Sequence, residues 1–234
     1  MTADVSVVIP VHNGARYLAA AIESVLDQRP KPREVLVIDD GSTDRSARVA
    51  ERFGGVRCLR QPHRGLGATH NRGVAIARGE LVGFLDQDDL WHPGKLERQL
   101  AAYGVDDRLD VVFGHVRQFV SPELDARSAA GLRCPPRAEP GYLIGSGLFR
   151  REALARVGPF REDLVTGNFI DWMARARDRG LREAMLPDIV LRRRLHAANY
   201  GRVRRDARRD YARVLKAVLD RRRAAAGVNA AACG

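Results

Sequence analysis

The feature that most constrains this chain is the alternation, over roughly its first 105 residues, of short apolar runs with helical patterns. Val5-Ser6-Val7-Val8-Ile9 is an apolar run closed by Pro10, the pattern of a strand buried on both faces. Leu18, Ile22, Val25 and Leu26 then recur at helical spacing, with Asn13 as the expected cap. Val35 to Ile38 predicts a second strand, and Ser42 is the expected cap of a helix running to about Arg52. Val56 to Leu59 predicts a third strand, Gly65 to Arg78 a loop and helix, and Leu81 to Leu85 a fourth strand. Trp91 to Tyr103 predicts another helix, entered through His92-Pro93-Gly94. Alternation of this kind builds a parallel sheet with helices on both faces.

In such sheets ligands bind beyond the carboxyl ends of the strands. Three of the four strand ends carry polar residues: His12-Asn13, Asp39-Asp40 and Asp86-Gln87-Asp88-Asp89. Carboxylates crowded after a buried strand repel one another, and a bound cation offsets that repulsion. Hard oxygen ligands at this spacing suit Mg2+ or Mn2+, with substrate phosphates completing the shell. Taken alone, the cluster fits a helix cap about as well as a metal site. At Asp39-Asp40-Gly41-Ser42, a carboxylate can accept hydrogen bonds from a base or a ribose while Gly41 lets the chain turn. Two successive acids are more than a cap needs.

These stretches, taken together, resemble the family 2 inverting glycosyltransferases. The similarity rests on Val7-Val8-Ile9-Pro10-Val11-His12-Asn13-Gly14, on Val37-Ile38-Asp39-Asp40-Gly41-Ser42-Thr43-Asp44, on Asn71-Arg72-Gly73 followed by Ala77-Arg78-Gly79-Glu80, and on Phe84-Leu85-Asp86-Gln87-Asp88-Asp89. A further likeness runs through Gly145 to Arg151, Val157-Gly158-Pro159-Phe160 and Arg194-Leu195-His196-Ala197-Ala198-Asn199. The resemblance implies an α/β chain of the GT-A fold, a Rossmann-like, mostly parallel sheet flanked by helices. It implies a nucleotide-sugar donor, with uridine as the leaning for the base, and Mn2+ or Mg2+ as cofactor. Pro10, Val11, His12, Asn13, Asp39, Asp40, Arg72, Asp86, Gln87 and Arg194 become the expected donor contacts. Asp86, Asp88 and His196 become the expected metal ligands.

Two departures from the family pattern stand out. His70 occupies the place where an arginine often precedes the Asn of the third motif, although Arg64 and Arg72 are close by. Inverting transfer also needs a carboxylate to take the acceptor's proton. The family usually supplies an acidic pair after a glycine, but here the stretch reads Gly167-Asn168-Phe169-Ile170-Asp171-Trp172. Asp171 is the expected base, with Glu162 and Asp163 as the other candidates. Asn168-x-x-Asp171 is also a helix-capping pattern.

The second half is less regular. Asp110 to Phe119, Tyr142 to Phe149 and Ile189 to Leu191 predict strands; Arg151 to Val157 and Asn168 to Arg179 predict helices; residues 121–140 read as a loop. The reading divides the chain into a glycosyltransferase domain over 1–200, with a donor half at 1–105 and an acceptor half at 106–200. A basic helix over 201–223 follows, read from Asp206 to Arg223, and then a flexible tail over 224–234.

The formal charge is +11, and much of the excess lies between Arg192 and Arg223. A basic surface attracts nucleic acid, anionic lipid or phosphorylated substrates. Nucleic acid is disfavoured, because Tyr200 and Tyr211 are the only aromatics in the tail and base-stacking residues are not interleaved. The basic helix offers a peripheral contact with an anionic membrane. Apolar runs are too short to span a bilayer and Met1 to Asp4 does not resemble a leader, so a cytoplasmic location, extending to the inner membrane face, is expected. Cys58, Cys134 and Cys233 read as reduced thiols. A nucleotidyltransferase would need a Gly-rich phosphate loop after the first strand, and a phosphoacceptor signalling domain would be shorter. The alternative within the fold is a protein that binds donor without transferring it. The acceptor, whether glycan, lipid-linked sugar, peptide or small molecule, is not legible.

Overall fold

A computed structural model describes residues 2–125, 129, 131–132, 134–196, 199 and 208–232. Its order is β1 (Thr2–Val11), α1 (Leu18–Leu26), β2 (Lys31–Asp40), α2 (Ser46–Glu51), β3 (Val56–Gln61), α3 (Leu66–Ile76), β4 (Leu81–Phe84), β5 (Leu90–Trp91), α4 (Lys95–Val105), β6 (Val111–Val120), β7 (Glu139–Gly141), a 3-10 turn (Ile144–Ser146), β8 (Leu148–Arg150), α5 (Arg151–Val157), α6 (Asn168–Asp178), β9 (Glu183–Leu195) and α7 (Arg208–Ala232).

One sheet runs β3-β2-β1-β4-β8-β6-β9-β5, with β7 on the side of β6. The pairings make β1, β2, β3, β4, β6 and β9 point the same way, so their carboxyl ends share one edge. The sheet is continuous across residue 105, because β4 pairs with β8 of the second half. Apolar side chains on one face, including Val5, Val7 and Ile9, pack with Leu18, Ile22 and Val25 of α1 and Leu96 of α4. The other face, with Val8, Leu36, Ile38 and Phe84, packs with Leu154 of α5 and Trp172 and Met173 of α6. Each fully buried Leu, Ile or Phe contributes roughly 1.5–3 kcal/mol by leaving water. Lys95 is also fully buried; its Nζ donates to Gln99 Oε1 at 2.8 Å and Ser146 O at 3.1 Å, tying α4 to the 3-10 turn. Burial alone pushes its ammonium well below the usual lysine range.

Several elements differ from the sequence expectation. The helix after β2 starts at Ser46, not near Ser42, because Asp44 Oδ1 accepts the Ser46 N–H at 2.9 Å. Asn13 does not cap α1. It sits at φ 51° and its Oδ1 accepts N–H bonds from Thr43 (2.8 Å) and Asp44 (3.3 Å), stitching β1 to the turn after β2. Trp91 belongs to a short strand rather than a helix. Its indole N–H donates to Phe84 O at 3.1 Å, and the ring lies where Gly83 lacks a side chain; a Cβ there would meet it at 2.8 Å. Tyr142 to Phe149 splits into the 3-10 turn and β8, because Ser146 Oγ bonds Leu143 O at 2.7 Å and closes the turn. Ile189 to Leu191 is the middle of a 13-residue strand. Pro187 hid that strand from the sequence pattern, and register shifts against β6 around His115 absorb the irregularity.

The chain's last described helix, α7, packs along α6. Its helical backbone continues past Ala224, where a tail was expected. The expected helix start at Asp206 lies outside the described residues, as do Ala197, Ala198, Tyr200 and Cys233. Cys58 and Cys134 are free thiols. No helix among the described residues is long and apolar enough to cross a membrane.

Candidate functional site

At the shared carboxyl edge lies a cavity of about 510 Å3. Segments following six strands contribute to its wall: His12 after β1, Asp40 at the end of β2, His63 after β3, Asp86 and Asp88 after β4, Leu124 after β6 and His196 after β9. This is the strand edge where sheets of this type take ligands.

The acidic cluster is built around unequal carboxylates. Asp86 is half-buried, and burial first, then the Asp88 charge, push its carboxyl up to about 6, with Arg193 pulling the other way. Asp89 is buried and accepts the Arg194 N–H at 2.8 Å; burial and the charges of Asp88 and Asp86 still hold its carboxyl well above the usual carboxylate range. Asp88 Oδ2 lies 2.8 Å from His196 Nε2 and 3.4 Å from Asn199 Nδ2. Asp86, Asp88 and His196, the three expected metal ligands, therefore reach one cavity. Among the described residues no three such side chains are already gathered closely enough to hold an ion by themselves.

Several residues expected to contact the donor line the same cavity. Pro10, Val11, His12 and Asn13 all line the cavity. Gln87 lines it too, with its amide spent on the β1 end: Oε1 accepts the His12 N–H at 2.8 Å. Asp40 lines the cavity, and its carboxylate accepts from Gln61 Nε2 (2.7 Å) and the N–H groups of Arg64 (2.9 Å) and Gly65 (2.8 Å). Burial pushes its carboxyl up, but those hydrogen bonds and nearby His63 outweigh it, and the net shift is downward. Asp40 thereby fixes the loop that forms one wall.

Four expected contacts are placed elsewhere. Asp39 does not line the cavity. It is fully buried, its Oδ1 accepting the Ser42 N–H at 2.8 Å and its Oδ2 facing Arg60 Nε at 3.1 Å. Arg72 turns away toward β3, where it donates to Arg60 O at 2.8 Å. Arg194 is buried behind the acidic cluster. Its Nε donates to Asp88 O at 2.9 Å, and its guanidinium stacks on Tyr17 and Phe119 at 4.7 and 4.8 Å, so it positions the cluster's backbone rather than facing the cavity. Asp171, the expected base, is buried on α6 away from the cavity. Arg175 Nε donates to its Oδ2 at 2.8 Å, while Arg161 and Arg221 lie 4.0 and 3.8 Å from Oδ1. The other two candidates are ion-paired as well, Glu162 with Arg64 at 2.8 Å and Asp163 with Arg161 at 2.6 Å.

Arg193, His63 and Tyr17 line the cavity without having been singled out in the sequence. Arg193 was legible in principle: successive strand residues face opposite ways, so it points oppositely to Arg194 once β9 is known to run to Leu195. His63 packs against His12, with ring centroids 4.2 Å apart and planes tilted by 31°, and reaches Asp40 Oδ2 at 2.8 Å, but Pro62-His63-Arg64-Gly65 carries no periodic signal. His70, standing where an arginine was expected, is fully buried against Phe84 and Phe160.

With this geometry in hand, the comparison with known proteins is decisive on family. The model of glycosyl transferase family 2 matches residues 6–158. The chain belongs to glycosyl transferase family 2. An uncharacterized glycosyltransferase of Nostoc sp. is 39% identical over 122 residues, covering 47% of this chain and 38% of that one. The succinoglycan biosynthesis protein ExoU of Rhizobium meliloti is 34% identical over 205 residues, covering 76% of this chain and 58% of that one. Among solved structures, the S. aureus TarS 1–349 fragment in complex with UDP-GlcNAc superposes with a TM-score of 0.65 at 20% identity, over 84% of this chain and 60% of that one. The same fragment in complex with UDP gives 0.64 at 21% identity. The likeness shows a common GT-A fold. This family 2 chain spans well under two thirds of each of these relatives.

Proposed function

We propose that this family 2 member binds a nucleotide-diphosphate sugar, with uridine as base, in the cavity at the carboxyl edge and transfers the sugar with inversion to an acceptor hydroxyl, assisted by Mn2+ or Mg2+. The observation that carries the reading is the pairing of Asp86 and Asp88 in one cavity. Burial first, and then the charge of Asp88, raise Asp86 to about 6, and a divalent ion would offset both. Asp86 and Asp88 would hold the ion, with His196 beside Asp88. Because no complete ligand set is gathered, donor phosphates would supply the remaining oxygens. The ion, when bound, would neutralise charge on the departing diphosphate.

The protein's own residues do the rest. The Pro10–His12 backbone and the paired, tilted rings of His12 and His63 offer a wall for a nucleoside. Arg16 and Arg193 bring positive charge to the same cavity for phosphate. Complexes of the TarS fragment with UDP and UDP-GlcNAc, on the same fold, favour uridine. The test is a thermal-shift panel of nucleotide-sugars with and without Mn2+. A rise in Tm that needs both nucleotide and ion is expected; a flat response to the whole panel overturns the reading.

A second reading is favoured by the placement of Asp171. With it sequestered among arginines, and the usual acidic pair missing from the stretch Gly167 to Trp172, the chain would bind donor without transferring it. Nucleoside diphosphate release on adding a mixture of acceptors, with the product anomer read by NMR, separates the two.

A further inference from the structure

The helix α7 is held to the domain by one face. Val214 is buried, Asp210 Oδ2 accepts the Val165 and Thr166 N–H groups at 2.7 and 3.1 Å, and Arg221 pairs with Asp178 at 3.0 Å. Beside that face runs a stripe of Tyr211, Leu215 and Leu219, spaced four residues apart and 48%, 60% and 43% exposed. Spacing of four puts them in one stripe along the helix. The seam beneath adds exposed Val165, and the ring of Tyr211 lies 3.5 Å from where a Cβ of Gly167 would stand. A stripe of this size in water is costly unless something covers it.

Its surroundings say what that cover is. Arg209, Lys216, Arg222 and Arg223 are exposed on the same helix, against one exposed acid, Asp220. Arg213 and Arg221 are neutralised by Asp163, Asp210 and Asp178, while Arg209, Lys216, Arg222 and Arg223 have no ion pair with an acid among the described residues. The whole chain carries +11, which opposes pairing of two copies through this face and favours an anionic partner. An apolar stripe flanked by Lys and Arg is the form of a helix that lies in a membrane interface, its apolar residues among the acyl chains and its cations at the headgroups.

We propose that α7 docks the protein on an anionic lipid bilayer, with Tyr211, Leu215 and Leu219 inserted and Lys216, Arg222 and Arg223 paired with headgroups. The proposal is independent of the transfer reaction. The contact also orients the cavity, because the α7 anchor at Val165 and Thr166 continues through Glu162, which pairs with Arg64 beside the cavity-lining Gly65.

The test is co-sedimentation of the full chain with phosphatidylcholine vesicles, with and without about 30 mol% phosphatidylglycerol. Binding to the anionic vesicles at least about tenfold above the neutral ones is expected, falling steeply with salt. The double change Leu215→Ser/Leu219→Ser removes most of that binding while Tm is unchanged, and Lys216→Gln/Arg222→Gln/Arg223→Gln lowers it by about tenfold or more. Absence of binding to the anionic vesicles overturns the proposal. So does binding that survives the two serines, or a dimer in solution that those serines dissociate.

Discussion

Two groups of carboxylates in this molecule look alike in sequence and opposite in structure. Asp86, Asp88 and Asp89 gather at the cavity, and burial first, then the neighbouring carboxylates, push up the carboxyls of Asp86 and Asp89. Asp163, Asp171 and Asp210 lie under and beside α7, each met by arginine: Arg161 and Arg213 on Asp163, Arg175 on Asp171, Arg213 on Asp210. Asp163 shows the consequence, held down to about 2 chiefly by its hydrogen bond from Arg161. The first group stores repulsion that a ligand can relieve; the second has its counter-charges supplied by the fold. An acid becomes a candidate for chemistry by lacking a fixed arginine partner, not by being present.

The largest effect expected is at the first group. Asp88→Ala abolishes the nucleotide- and ion-dependent rise in Tm and lowers transfer at least about a thousandfold, near 4 kcal/mol, while the unliganded Tm holds. A variant that still shows the full ligand shift would break the contrast.

Next is the second group. Asp171→Ala leaves Arg175 without its buried partner and costs about 3 kcal/mol of stability, read as a fall in denaturation midpoint, with the donor-induced shift retained. The opposite pattern, unchanged stability with lost turnover, would restore Asp171 as the base.

A third, smaller effect sharpens the contrast with a buried ionisable group that has neither ligand nor counter-charge. Both ring nitrogens of His70 are buried without hydrogen-bond partners among the described residues, and burial lowers its pKa to about 3. The unfolded chain binds a proton below about 6.5 that the folded chain refuses, so stability falls as pH drops from there toward 3. By pH 5 this amounts to about 2 kcal/mol, and His70→Leu removes that part of the acid sensitivity in denaturation measured against pH.

The smallest is Arg213→Ala. Its guanidinium bridges Asp163 and Asp210 but is 47% exposed, so the loss is about 1 kcal/mol or less and shrinks in high salt.

The same contrast explains what the sequence made legible. Strands β1, β2 and β4 are local apolar runs with their polar residues directly following, so the cavity's position and the roles of His12, Asp86 and Asp88 as wall residues could be read from adjacent residues. Asp39 and Asp40 were not separable that way. Which one faces the cavity depends on Arg60 and on the loop at Arg64-Gly65, more than 20 positions on. Arg193 and Arg194 exchanged expected places because strand alternation in β9 was hidden by Pro187. The burial of Asp171 was not legible, because its partners include Arg221, 50 residues away on a helix whose packing no local pattern announces.

The length of β9 bears on how the molecule is made. Its last residues deliver Arg194 to Asp88 and Asp89, and His196 follows to meet Asp88, across 105 to 108 positions of chain. Such distant pairings close late in folding. During synthesis the β1–β4 region emerges first, with its acid cluster desolvated on one side and still lacking the strand that braces it. Until β9 is complete, Asp88 and Asp89 lack the hydrogen bonds from Arg194 and His196 that set the acidic corner of the cavity.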